Sequence, residues 1–220
     1  MYKFFTFIFI FILISCNPIV NNTNLFDRDF LFDDFDTLNS EIWLKINDTF
    51  KYSSKLSEKN TSISNGNLII NIPGNSLEGG GIKSSKNFRN GKFSIYVLNT
   101  NTNVATEIEL FNQTWNITLS LRYHFNEIQN TNIVEFEALS PSLNLRYSIS
   151  NEFQNTWVLM TIEMLRNSVK VYFNNKLITN INLDSSINEA SISINGYPVA
   201  NEVFYLSREI IVDYFSYERN

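Results

Sequence analysis

The chain has 220 residues, with 17 basic against 22 acidic side chains, a single histidine and a single cysteine. One cysteine excludes an intramolecular disulfide, and one histidine beside it excludes a zinc-type cluster of His and Cys ligands. The charge is mildly acidic and scattered, without the basic run that nucleic acid or an anionic lipid surface requires.

The first element, "MYKFFTFIFIFILISC", carries a lone Lys3 and is apolar from Phe4 to Ile14 apart from Thr6. It is shorter than the ~20 residues a bilayer-spanning helix needs and has the pattern of a secretory signal. Its end, Leu13-Ile14-Ser15-Cys16, resembles the bacterial lipobox, in which the cysteine is lipidated and becomes the new N-terminus. The expectation is a signal peptide over 1–15, then a lipidated Cys16 that begins an Asn-rich tether over 16–26. A single domain follows over 27–220. The membrane partner implied is the bacterial cell envelope, with the protein anchored at the outer membrane or cell surface.

Beyond the tether, helix signals are nearly absent. Short alternating runs rich in β-branched and aromatic residues follow one another, broken by Asn, Ser and Gly: "NLIINI", "GKFSIYVL", "TEIELF", "WNITLSLRYHF", "IVEFEAL", "LNLRYSI", "WVLMTIEML", "VKVYF", "ASISI" and "EIIVDYFSY". So many strands within one domain argue for an all-β sandwich. Asp33, Asp34 and Asp36 in "FDDFD" read as turn formers. "GGG" at 79–81 lacks the Lys-Ser/Thr of a phosphate-binding loop. "VKVYFNNKLITNI" reads as a hairpin turning at Asn174-Asn175, because Asn tolerates the positive φ that two-residue hairpin turns require.

In "TEIELFN" the period of two puts Glu107, Glu109 and Phe111 on one face and Ile108 and Leu110 on the other. A turn near Asn112–Trp115 leads into the next strand. Pairing Phe111 with Asn116 sets Glu109 opposite Thr118, Glu107 opposite Ser120 and Ala105 opposite Arg122. Asn116, Thr118, Ser120, Arg122 and His124 then share the acidic face, while Trp115, Ile117, Leu119, Leu121, Tyr123 and Phe125 enter the core. Periodicity alone reads the acidic face as the solvated outside of a sheet, with His124 a surface residue on it.

Three segments together resemble the family 16 glycoside hydrolases of the concanavalin A-like lectin and glucanase superfamily. They are "GGGIKSSKNFRNGKFSIYV" (79–97), "SVKVYFNNKLI" (168–178) preceded by Ile162-Glu163, and the closing "REIIVDYFSYE" (208–218). The resemblance implies a two-sheet antiparallel jelly-roll β-sandwich whose concave sheet forms a glycan cleft. It also implies an E-x-D-x-E strand bearing a nucleophile, an assisting Asp and an acid/base. With Glu107 as nucleophile, Phe111 occupies the acid/base position; with Glu109 as acid/base, Ala105 occupies the nucleophile position. Either alignment lacks one essential carboxyl. Glu107 and Glu109 as a pair would point the same way rather than flank a glycosidic oxygen. The expectation is therefore a polysaccharide-binding protein with no catalytic residue assigned. Glu107, Glu109, Arg122 and His124 would bond sugar hydroxyls, and Phe111 would stack on a ring. The competing readings are an active family 16-like hydrolase of β-glucan or galactan, and a laminin G-like protein-adhesion module. The resemblance further implies a structural calcium site at Asp213, with a backbone carbonyl near Gly66.

Overall fold

The computed structural model describes residues 25–99, 103–126, 131–151, 156–199 and 205–220. The N-terminal half contributes β1 (Phe30–Asp33), β2 (Trp43–Lys45), β3 (Thr49–Lys51), β4 (Ser54–Leu56), β5 (Thr61–Ser64), β6 (Asn67–Ile72), β7 (Glu78–Ser84), β8 (Phe88–Arg89) and β9 (Gly91–Leu98). The C-terminal half contributes β10 (Val104–Asn112), β11 (Ile117–Asn126), β12 (Thr131–Leu139), β13 (Asn144–Asn151), β14 (Trp157–Met164), β15 (Ser168–Phe173), β16 (Lys176–Asn182), β17 (Glu189–Pro198) and β18 (Arg208–Arg219). One 3-10 turn, Glu58–Asn60, lies between β4 and β5, and no α-helix occurs among the described residues.

Two sheets face each other, as the sequence predicts for a jelly-roll sandwich. One runs β16-β15-β14-β9-β18-β6-β5, with β1 also on β18; the other runs β13-β12-β11-β10-β17-β7-β4-β3, with β2 on β7 and β8 on β17. The named strands pair antiparallel except β4 with β7. Their inner faces interdigitate: Ile108, Leu110, Leu119, Leu121 and Phe136 meet Phe93, Ile95, Met160, Ile162 and Phe215, all buried in one cluster. This is the period of two realised as a core: each strand supplies every second side chain. The segment 79–97 divides between the layers, β7 joining the β10 sheet and β9 the other.

Local chemistry explains the turns. Asn174 (φ 48°) and Asn175 (φ 62°) form the expected two-residue hairpin turn between Phe173 and Lys176. Asp33 accepts the Phe35 amide at 2.9 Å and the Trp43 indole N–H at 2.8 Å, so it fixes both a turn and a buried ring.

One expectation is corrected. The β10–β11 turn takes four residues, Gln113 to Asn116, so Phe111 pairs with Thr118, Glu109 with Ser120, Glu107 with Arg122 and Ala105 with His124. Asn116 closes it at φ 50°, and Asn112 Oδ1 accepts the Trp115 amide at 2.8 Å. A slip of two keeps every face assignment on the strands, but Trp115 falls in the turn and is 50% exposed instead of buried. At the start of the described residues, Phe26 is buried with its ring 4.6 Å from that of Phe88, and Leu25 bridges Asn87. The signal segment and Cys16 lie outside the described residues. Among the described residues no helix is long and apolar enough to cross a membrane.

Candidate functional site

The outer face of the β10 sheet is built by the alternate residues that do not enter the core. β10 supplies Glu107, Glu109 and Phe111; β11 supplies Ser120, Arg122 and His124; β12 supplies Glu135 and Glu137; β17 supplies Ser193, Asn195 and Tyr197. The structure brings all five sequence-predicted glycan-contacting residues, Glu107, Glu109, Phe111, Arg122 and His124, to this face. It is not the solvated surface that periodicity suggests. Glu107 has no exposure, while Ser120, Arg122, His124 and Asn195 are nearly as buried.

The cover is the hairpin of β3 and β4. Its Lys51 ammonium pairs with Glu109 and stands 3.1 Å from Glu107 Oε2. Ser120 donates its hydroxyl to Glu107 Oε1, and Asn195 Nδ2 donates to Oε2 at 3.4 Å. Beyond Lys51, the Tyr52 ring lies under the Arg122 guanidinium at 4.7 Å and against the Tyr197 ring at 5.6 Å. Its hydroxyl donates to Glu137 Oε2 at 3.2 Å. Arg122 pairs with Glu135 at 2.7 Å, and His124 Nε2 faces the same carboxylate oxygen at 3.5 Å.

These contacts set the charges. Burial alone would lower the Lys51 pKa, but the Glu107 and Glu109 carboxylates outweigh it and raise it, so the ammonium stays charged. Burial and the neighbouring Glu107 charge lift the Glu109 carboxyl above the ordinary range, against the pull of Lys51. His124 and Arg122 hold the Glu135 carboxyl down at about 2 despite its burial. Burial and Glu107 push the Tyr197 hydroxyl well up.

Retaining hydrolysis needs an open nucleophile and, about 5 Å away, a carboxyl able to give a proton. Glu107 is enclosed by three donors. Glu135 and Glu137 are further carboxylates on the face, but Arg122 stands between Glu135 and Glu107 in register, the depressed pKa of Glu135 keeps it ionised, and Glu137 is tied to the Tyr52 hydroxyl and the Arg146 guanidinium. What the arrangement offers is a set of fixed donors and acceptors with Tyr52 and Phe111 as apolar surfaces. Two separate cavities open beside it. One of about 470 Å³ is lined by Lys51, Lys83, Glu109, Phe111 and Asn195 among others; one of about 380 Å³ by Tyr52, Arg122, His124, Glu135 and Tyr197.

Sequence reasoning missed Lys51, Tyr52, Glu135, Glu137 and Asn195. The two glutamates carried the same signal as Glu107 and Glu109, since "IVEFEAL" alternates acid with apolar just as "TEIELF" does. Lys51 had none, because its contact is made across more than fifty residues of chain.

The calcium expectation meets a sparse donor set. Gly66, at φ +70°, lies against Asp36 and Asp34, and Asp213 sits where β18 breaks register with β9 between Val212 and Tyr214. Among the described residues no group of three or more His, Cys, Asp or Glu side chains converges to hold a metal. The two residues supply two oxygens where calcium takes six to eight.

No protein-family model matches the chain, and no curated protein matches it in sequence. Solved structures match it in fold. A β-1,3-1,4-glucanase (lichenase) from a mouse hindgut metagenome superposes with a TM-score of 0.74 at 12% identity, covering 88% of this chain and 100% of that one. The Bacillus licheniformis β-glucanase gives the same TM-score, identity and coverage. The catalytic domain of an endo-1,3-β-glucanase (laminarinase) from Thermotoga petrophila gives 0.72 at 13% identity, over 86% of this chain and 97% of its own. The chain thus has the fold of these glucanases and of family 16 glycoside hydrolases solved from Bacteroides ovatus, the family its sequence resembles.

Proposed function

We propose that this protein binds polysaccharide on the outer face of its β10 sheet and does not efficiently cleave it. The observation that carries this reading is the Lys51 ammonium set on Glu107 and Glu109, the carboxylates nearest to a catalytic pair. A salt-bridged, solvent-free carboxylate is a poor nucleophile, and Glu109 bound to an ammonium is a poor acid. Glu109, Phe111, Arg122 and His124, with Asn195 and Tyr52, remain as polar and apolar contacts for a sugar. The fold supports the choice of ligand: a Bacteroides ovatus neighbour with a TM-score of 0.69 was solved with a mixed-linkage glucan product. Calorimetric titration with mixed-linkage β-glucan and laminarin oligosaccharides tests the reading. Saturable binding weakened by Phe111→Ala supports it; no binding to either moves the weight to protein adhesion.

The envelope location belongs to the same proposal and rests on Leu13-Ile14-Ser15-Cys16. Two acyl chains suffice for stable anchoring where one binds marginally. Cys16→Ala should abolish labelling by a palmitate analogue and release the protein from membranes. Undiminished labelling would refute it. A calcium ion on the Asp213 carboxylate and the Gly66 carbonyl, with the Asp34 carbonyl and Asp36 carboxylate beside Gly66 and water completing its shell, is likewise proposed: EGTA should lower the melting temperature, and an unchanged one would refute the ion.

A further inference from the structure

The β3–β4 hairpin is anchored to the sheet edge through β4 on β7, yet its tip reaches back over the middle of the face. It touches four successive strands. Ser54 Oγ donates to Pro198 O of β17 at 3.3 Å, Lys51 pairs with Glu107 and Glu109 of β10, Tyr52 lies under Arg122 of β11, and its hydroxyl reaches Glu137 of β12. Tyr52 makes these contacts at φ 52°, a left-handed conformation uncommon for an aromatic residue and held here by its partners. The two cavities lie on either side of this tip and share no lining residue. A polysaccharide laid across the face would find its middle filled.

We propose that the Lys51–Tyr52 tip converts a through-groove into two separate hollows. The larger, bordered by Phe111, then takes the end of a neutral glucan chain or a short oligosaccharide rather than the interior of a polymer. This rests on the glycan-binding reading above. The hollow of about 470 Å³ has the size of a small-ligand pocket. Phe111 offers an apolar surface to the C–H face of a sugar, and Ser191, Ser193 and Lys83 offer groups for its hydroxyls. Asn195, almost fully buried on the wall, donates its Nδ2 to Ser193 Oγ at 3.0 Å and to Glu107 Oε2 at 3.4 Å, and so holds the Ser193 hydroxyl at the edge of the hollow. Lys51 pairs with both Glu107 and Glu109, so with the exposed Lys83 the hollow sets two cations against two carboxylates and has no net charge that would select an acidic sugar.

The test uses mixed-linkage β-1,3-1,4-glucan before and after partial hydrolysis that shortens its chains about tenfold, compared at equal mass. An end-binding site sees only termini, so the affinity per unit mass should rise by about tenfold on shortening. Equal affinity per unit mass for long and short chains would overturn the proposal while leaving glycan binding intact. Binding to neither would overturn both. A Lys51→Ser/Tyr52→Gly variant keeps a residue at ease with positive φ at the turn and removes the barrier; it should lose the length dependence. A folded variant, by its melting transition, that keeps the tenfold dependence would overturn the role given to the hairpin.

Discussion

The Lys51 ammonium stands 3.1 Å from the Glu107 carboxylate, which has no exposure to solvent. The two meet because the β3–β4 hairpin folds over β10, and the same ammonium pairs with Glu109. Two neighbouring carboxylates on one strand face repel each other, and burial sharpens that repulsion. A single cation placed on both makes the burial tolerable. It also ties both carboxylates into one ion group.

Removing that cation should therefore destabilise the fold in a pH-dependent way. Lys51→Met leaves a buried carboxylate pair uncompensated, a loss of about 2–4 kcal/mol at pH 7. The Glu109 carboxyl already titrates above the ordinary range through burial and Glu107, and the variant raises it further. A carboxyl with a raised folded pKa destabilises the fold once pH exceeds its unfolded value, and stops doing so as pH falls. The deficit in urea unfolding should thus shrink on going from pH 7 to pH 4. A deficit constant with pH would mean that Lys51 acts through packing alone.

Glu135 gives the opposite window. Its carboxyl is held at about 2 by His124 and Arg122, so its stabilisation is complete above the ordinary carboxylate range and is lost as pH falls through about 2. Glu135→Gln should cost about 2–3 kcal/mol at pH 7, discounted for partial exposure, because Arg122 is left without its partner. The gap to the unaltered protein should persist at pH 4 and close toward pH 2. Closure already at pH 4 would contradict the Arg122–Glu135 pairing.

The β10–β11 register makes a packing prediction. Leu121 is wholly buried between the sheets, so Leu121→Ala should cost about 2–5 kcal/mol through transfer and cavity terms. Trp115, in the turn, should change stability by only about 0.5 kcal/mol when replaced by Ala, as for an exposed site. Denaturant midpoints of the two variants check this, and a costly Trp115→Ala would restore the tighter turn.

What the sequence made legible was periodic or local. Alternation placed the long strands, the face of every residue on β10 and β11, and the core they share. Asn174-Asn175 announced its hairpin because two left-handed residues in a row suit few others. A turn length, by contrast, is not written in strand periodicity, since a slip of two leaves both faces unchanged; hence Trp115 was misplaced. The short N-terminal strands β1 to β5 carry too few residues for alternation to register. The covering of the acidic face was invisible for the same reason: it depends on where the β3–β4 tip lands, a tertiary fact that neither "TEIELFN" nor "FKYSSK" contains.

On the proposed function, the Glu107 strand binds glycan without cleaving it. The direct measurement is the release of reducing ends from mixed-linkage β-glucan by the purified protein, run beside a binding titration on the same sample and repeated with Glu107→Gln. Saturable binding is expected with a hydrolysis rate at background, the same in both proteins. Hydrolysis well above background, abolished by Glu107→Gln, would contradict it and show that the carboxylates under Lys51 still work as a catalytic pair.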